Sequence, residues 1–175
     1  MCARSRNSAA FIACIATLAM APTAVAQEGE STDALVTYRA LTVELALKAA
    51  QAGLASCRRS GYQVAIAVVD RGGNVQVLLR DRFAGPHTPD TAVSKAWTAV
   101  SFRADTSELV EPTQSRKAQS GARHIPGALM LGGGMKIEAQ GSMVGGIGVS
   151  GAPTGKADEA CAGAGIDAIV EALEF

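Results

Sequence analysis

Two aliphatic, β-branched runs at residues 62–69 and 75–79 flank Asp70-Arg71-Gly72-Gly73-Asn74, a stretch made of turn-forming residues. Apolar runs joined by such a turn predict a β-hairpin. A hairpin this apolar commits the chain to an antiparallel sheet whose faces must be covered by other elements.

The flanking sequence supplies the cover. From Thr42, the residues Val43, Leu47, Ala50, Leu54 and Cys57 recur at spacings of four, three, four and three, while Lys48, Gln51 and Arg58 fall elsewhere. That is one buried stripe on a helix, with Thr42 as its N-cap and Gly61 as its stop. The loop Ala84-Gly85-Pro86-His87-Thr88-Pro89 leads into a second helix from Asp90 to about Arg103, with Val93, Trp97 and Val100 facing inward. Residues 104–126 read as a surface excursion with one short helical turn near 107–110. Three short strands follow, at 128–131, 135–138 and 143–149, separated by Gly132-Gly133-Gly134 and Ala139-Gln140-Gly141; a last helix covers 157–173. Met130, Met135 and Met143 fall in these strands, read first as core packing and otherwise as the lining of an apolar pocket or weak metal ligands. This order predicts an α+β domain with a mostly antiparallel, five-stranded sheet flanked by helices.

Composition narrows the function classes. Of 175 residues, 48% are hydrophobic and 18% charged, which describes a globular chain and not a disordered or fibrous one. The formal net charge is zero, so there is no electrostatic footprint for nucleic acid. Arg4 and Arg6 precede an apolar run from Ser8 to Ala21, and Ala24-Val25-Ala26 offers small residues for cleavage, so residues 1–26 read as a secretory signal peptide. The apolar run is too short for a membrane span, which needs about 20 residues. Cleavage leaves a tail at 27–40 that reads as flexible, and a single domain at 41–175, in a periplasmic or secreted setting. It also leaves two cysteines, Cys57 and Cys161, which either bridge in a compartment that permits disulfides or act as two small buried hydrophobes.

Several strings align in order: the helix ending in Cys57, then Val68-Val69-Asp70-Arg71-Gly72-Gly73, Leu79-Arg80-Asp81, Lys95-Ala96-Trp97-Thr98-Ala99 and Gly132-Gly133-Gly134. The series closes with Val144-Gly145-Gly146-Ile147-Gly148-Val149-Ser150-Gly151-Ala152-Pro153 and Asp158-Glu159. Over residues 41–173 the chain resembles the GlcG/HbpS family, which has haem-binding members and relatives fused to corrinoid adenosyltransferases. The resemblance implies a profilin-like, three-layer α/β/α sandwich and a homo-oligomer assembled from it. It also implies haem, or another tetrapyrrole, as a cofactor or cargo, with haem degradation as an associated activity in the family.

Under that resemblance the candidate iron ligands are the chain's two histidines, His87 and His124, both in loops marked by Gly and Pro. His87, just before a helix, is the preferred ligand; each also has an ordinary reading as a loop histidine bonded to backbone. The histidine ligand of the adenosyltransferase fusion domains lies in the first helix, where this chain has none. Arg80, Arg82, Lys95 and Arg123 are the candidate partners for haem propionates, with Lys95 expected to project off the buried stripe of the second helix, where it also reads as an ordinary solvated lysine. Asp70 and Asp81 read as structural, Asp70 as a turn acceptor. Ser150 lacks the glycine two residues later that a nucleophile elbow requires, and the histidines and carboxylates are not spaced as a zinc set. Asp158 and Glu159 complement the dipole of the last helix, whose N–H groups suit a small anion. The leading expectation is an exported haem-binding protein that buffers or delivers its ligand. The alternatives are an accessory protein or enzyme of a catabolic pathway, binding a small carboxylated molecule between the 84–89 loop and the last helix, or a structural oligomer without a ligand.

Overall fold

A computed structural model describes residues 34–174. The expected signal peptide at 1–26 and residues 27–33 of the expected tail lie outside them; residues 34–40 form neither helix nor strand. The elements are α1 (Val43–Arg59), β1 (Ala65–Asp70), β2 (Val75–Arg80), α2 (Thr88–Phe102), α3 (Thr106–Val110), β3 (Gly134–Ala139), β4 (Ser142–Ser150), α4 (Gly155–Asp167) and α5 (Val170–Leu173). A 3-10 turn at Ser120–His124 interrupts the long excursion after α3.

The hairpin forms as expected. Asp70 Oδ1 accepts from the backbone N–H groups of Gly72 (2.8 Å) and Asn74 (2.9 Å), and Gly73 takes a φ of +81°, which a residue with a side chain rarely adopts. The sheet is antiparallel with the order β2-β1-β4-β3, so it has four strands among the described residues, not the expected five. The missing strand is residues 128–131, whose polar groups are used locally. The Leu129 N–H donates to Thr98 Oγ1 (2.8 Å), the Leu131 N–H donates to the Leu129 carbonyl (2.9 Å), and the Leu131 carbonyl accepts from Thr106 Oγ1 (2.8 Å). With the Leu129 N–H and the Leu131 carbonyl committed to Thr98 and Thr106, and the Leu131 N–H to a local turn, the segment does not run as a ladder strand.

Helices α1 and α4 cover one face of the sheet, meeting Ile66, Val68, Ile147 and Val149, and α2 covers the other, meeting Ala65, Ala67 and Val69. The central strand β1 is therefore buried on both faces. The buried stripe of α1 differs from the expected one. Ala46, Ala49, Ala50, Gly53, Leu54 and Cys57 are buried while Val43 and Leu47 are exposed. Small residues decide this. A Cβ on Gly53 would lie 2.8 Å from the Cys161 carbonyl oxygen and one on Gly165 would lie 2.7 Å from that of Ala49, so α1 and α4 touch along their backbones. Cys57 and Cys161 form a disulfide between these two helices, with Cα atoms 5.5 Å apart.

On the opposite face the inward positions of α2 are Ala92, Lys95, Ala96, Ala99 and Val100, with Val93 and Trp97 only partly buried, a rotation from the expected stripe. Again glycine sets the contact. A Cβ on Gly148 would lie 2.1 Å from the Ala92 carbonyl oxygen, and one on Gly146 would lie 2.7 Å from Val100. The glycines of β4 thus let the α2 backbone rest directly on the strand, where a larger residue would hold it away. The last helix is split, because Ile169 breaks the regular backbone after Asp167 and is itself fully buried in the core.

Candidate functional site

The end of the sheet where β4 finishes is bounded by the loop before α2 and by the start of α4. Between them lies a cavity of about 450 Å³, within the usual size of small-molecule sites of about 300–1,000 Å³. Its walls come from three segments. The loop and first turns of α2 give Gly85, His87, Thr88, Thr91 and Lys95; residues 129–131 give Leu129 and Leu131; the turn from β4 into α4 gives Ser150 to Gly155 and Asp158.

Each wall is held by identifiable bonds. Thr88 Oγ1 donates to the Gly85 carbonyl (2.8 Å), closing the loop that carries His87, and Arg80 donates to the Ala84 carbonyl from β2. Thr98 and Thr106 pin the segment bearing Leu129 and Leu131, through the bonds given above. Thr154 caps α4 by accepting from the Ala157 N–H (3.1 Å). The N–H groups of Gly155 and Lys156 have no partner among the described residues, leaving the positive end of α4 directed toward the cavity rim.

Beneath this rim sits a buried ion pair. Lys95 Nζ donates to Asp158 Oδ2 (2.7 Å) and to the Val149 carbonyl (2.9 Å), while Asp158 Oδ1 accepts from the Ala152 N–H (2.9 Å). Lys95 is 1% exposed and Asp158 3%. Burial pushes the Asp158 carboxyl up from its ordinary range, against the hydrogen bond and charge of Lys95. Lys95 therefore does not project off the buried stripe as expected; it crosses from α2 to fasten the end of β4 to the first turn of α4. Gly133 makes the room, since a Cβ there would lie 2.9 Å from Lys95 Nζ and 2.6 Å from Asp158 Cβ.

Of the predicted site residues, the fold brings together His87 and Lys95 at one cavity. His87 is exposed, and its ring leans over Gly85 with no hydrogen bond among the described residues; its carbonyl accepts from the Thr91 N–H (3.1 Å) and Oγ1 (2.8 Å). His124 lies elsewhere, at the end of the exposed 3-10 turn. Arg123 staples the excursion by donating to the carbonyls of Thr113 (2.7 Å) and Val110 (3.1 Å). Arg80 shapes the His87 loop from outside the cavity, and Arg82 is exposed next to it in sequence. Asp81, as expected, is structural, but its partner is Arg58 of α1 (2.7 Å) and not its sequence neighbours.

Sequence reasoning missed the role of Asp158, which it assigned to the helix dipole, and those of Thr98 and Thr106. One signal was available for Thr98. In Lys95-Ala96-Trp97-Thr98-Ala99 a lysine and a threonine three residues apart share one helix face with small alanines beside them, a face that another element can approach closely.

The fold is shared with proteins of known structure. Residues 41–167 match the family model for the haem degrading protein HbpS-like family, and the chain belongs to that family. A double mutant of Streptomyces reticuli HbpS is 46% identical and superimposes with a TM-score of 0.71, covering 85% of this chain and 97% of that one. A structure described as a PduOC:heme complex is 27% identical, with a TM-score of 0.69, covering 74% of this chain and 95% of that one. The corrinoid adenosyltransferase PduO of Citrobacter freundii is 36% identical over 90 residues, which are 50% of this chain and 27% of the relative. The match thus spans about a quarter of that enzyme's length. Among the described residues no helix is long and apolar enough to cross a membrane.

Proposed function

We propose that this chain is an exported haem- or tetrapyrrole-binding protein that seats its ligand in the cavity between the α2 loop and the start of α4, with His87 facing the iron. The observation that carries this reading is a histidine without a hydrogen-bond partner among the described residues, placed on the wall of the cavity that also holds Leu129 and Leu131. The residues fit the group. An imidazole suits an axial position, the two leucines and Ala152 suit the porphyrin face, and the free N–H groups at the start of α4 suit a propionate. When bound, haem supplies an iron centre whose chemistry is set by its axial ligand and surroundings. Lys95 is committed to Asp158, so its contribution is to hold the α4 start in place. Family membership and the haem-bound PduOC neighbour support the same ligand class.

In this proposal the profilin-like unit at 41–175 follows a cleaved signal peptide at 1–26, works in the periplasm or outside the cell, and assembles as a homo-oligomer. The disulfide between Cys57 and Cys161 supports an oxidising compartment. Haemin titration of the purified protein, followed by absorbance, tests the ligand. The expected result is a saturable Soret shift near one haem per chain that is lost in His87→Ala and kept in His124→Ala. A flat titration contradicts it.

One observation favours a second reading. The cavity also presents the hydroxyls of Ser150 and Thr154 and the unpartnered N–H groups at the α4 start, a polar lining suited to a small carboxylated molecule. That reading predicts thermal stabilisation by carboxylates that persists in His87→Ala.

A further inference from the structure

At the other end of the sheet, where the β1–β2 and β3–β4 turns lie side by side, a second cavity of about 390 Å³ carries no acidic residue in its walls. Two arginines line it. Arg71, in the first turn, stacks over the Tyr38 ring with its guanidinium carbon 5.1 Å from the ring centroid. Arg39 donates to the side-chain oxygen of Gln140, in the second turn. Ser142 adds a hydroxyl to the same walls.

Neither arginine has a carboxylate partner among the described residues. The nearby acids lie outside these walls: Glu138 borders the adjoining cavity that Arg71 also lines, and Glu174 meets Gln140 through its backbone carbonyl, which accepts from Gln140 Nε2 (3.2 Å). Asp70 accepts from Gly72, from the Asn74 backbone and from the Asn74 side chain, and Glu138 lies 3.8 Å from Lys136. A guanidinium stacked on an aromatic ring, as Arg71 is, keeps its in-plane donors, and Arg39, anchored by Gln140, lines the same concave space. Forked donors of this kind pair bidentately with a phosphoryl group, whose several oxygens can engage two forks and a hydroxyl at once. The space exceeds what a bare ion needs.

We propose that this cavity binds the phosphate group of a small phosphorylated molecule between Arg39 and Arg71, at a site separate from the His87 cavity. The sheet separates the two sites by the length of β1, about 20 Å for six residues. Calorimetric titration of the full chain with glycerophosphate, with inorganic phosphate, with succinate and with potassium chloride at matched ionic strength tests this. Fluorescence of Trp97, the chain's single tryptophan, is an independent readout, because a Cβ on Gly73 of the first turn would lie 2.5 Å from its ring.

The expected result is saturable glycerophosphate binding weakened about tenfold or more in each of Arg39→Gln, Arg71→Gln and Arg71→Lys, since lysine lacks the fork. Arg59→Gln, which removes an exposed arginine outside the cavity, leaves it unchanged. Inorganic phosphate should compete, which would assign the recognition to the phosphate group. No saturable signal beyond the chloride control, equal binding by the glutamine variants, or succinate binding as tight as glycerophosphate would overturn the proposal.

Discussion

Lys95 and Asp158 are the residues whose chemistry is most exposed to test, because a buried charge tolerates the loss of its partner badly. Lys95→Met leaves Asp158 Oδ2 and the Val149 carbonyl without their Lys95 donor, and is expected to lower stability by about 3–5 kcal/mol in denaturant melts. Adding Asp158→Leu should recover much of that loss, because replacing both members of a buried pair is often close to neutral; a double variant as unstable as the sum of the singles would contradict this. Two aspartates also give the stability curve opposite slopes in acid. Burial alone would raise the Asp70 carboxyl, but hydrogen bonds from Asn74 and Gly72 outweigh it and hold the group below its ordinary value. Its stabilisation is therefore present above the unfolded value and is lost as pH falls through the folded one. Asp158, raised by burial, acts the other way: its contribution is full below the unfolded value and declines as pH rises through the folded one. Melts of the wild type and Asp70→Ala from neutral pH down through the carboxylate range should show their difference shrinking toward acid. A constant difference would remove Asp70 from the account.

Among the elements, the contact of α2 with β4 and that of α1 with α4 rest on missing side chains. Gly148→Ala places a methyl 2.1 Å from the Ala92 carbonyl oxygen, so α2 must lift from the strand. Overpacking of this kind costs about 1–3 kcal/mol or more, and a thermal melt unchanged by Gly148→Ala would contradict the packing described. The α1–α4 contact is also closed by the disulfide, which spans 104 residues of chain. Replacing Cys57 and Cys161 with alanine is expected to cost about 2–5 kcal/mol. The hairpin, the N-cap at Thr42 and the excursion were legible in the sequence, because local turn and capping chemistry decides them. The stripe of α1 and the fifth strand were not. Hydrophobic periodicity marks large side chains, whereas Ala46, Ala49 and Gly53 are buried for being small. Residues 128–131 look like a strand until Thr98 and Thr106, distant in sequence, claim their backbone groups. The same blindness hid Asp158 from the candidate site, since nothing local distinguishes a dipole-complementing acid from one paired across two elements.

For the molecule as a whole, the sheet separates two cavities with different chemistry, one bearing an imidazole and the N-terminus of α4 and the other bearing two arginines. Membership of the HbpS-like family supports the ligand class proposed for the first, and the position of His87 on its wall is the proposed link between that class and this chain. The export proposed for residues 1–26 predicts that the protein recovered from the periplasm or medium lacks them, which intact-mass measurement checks; a retained segment would contradict it. The central claim, that His87 meets the iron, is tested most directly by removing the side chain and returning its chemistry in solution. In His87→Gly the haemin spectrum should lose the wild-type Soret position and regain it on addition of free imidazole. A glycine variant that binds haemin with the wild-type spectrum, with or without imidazole, would contradict the account.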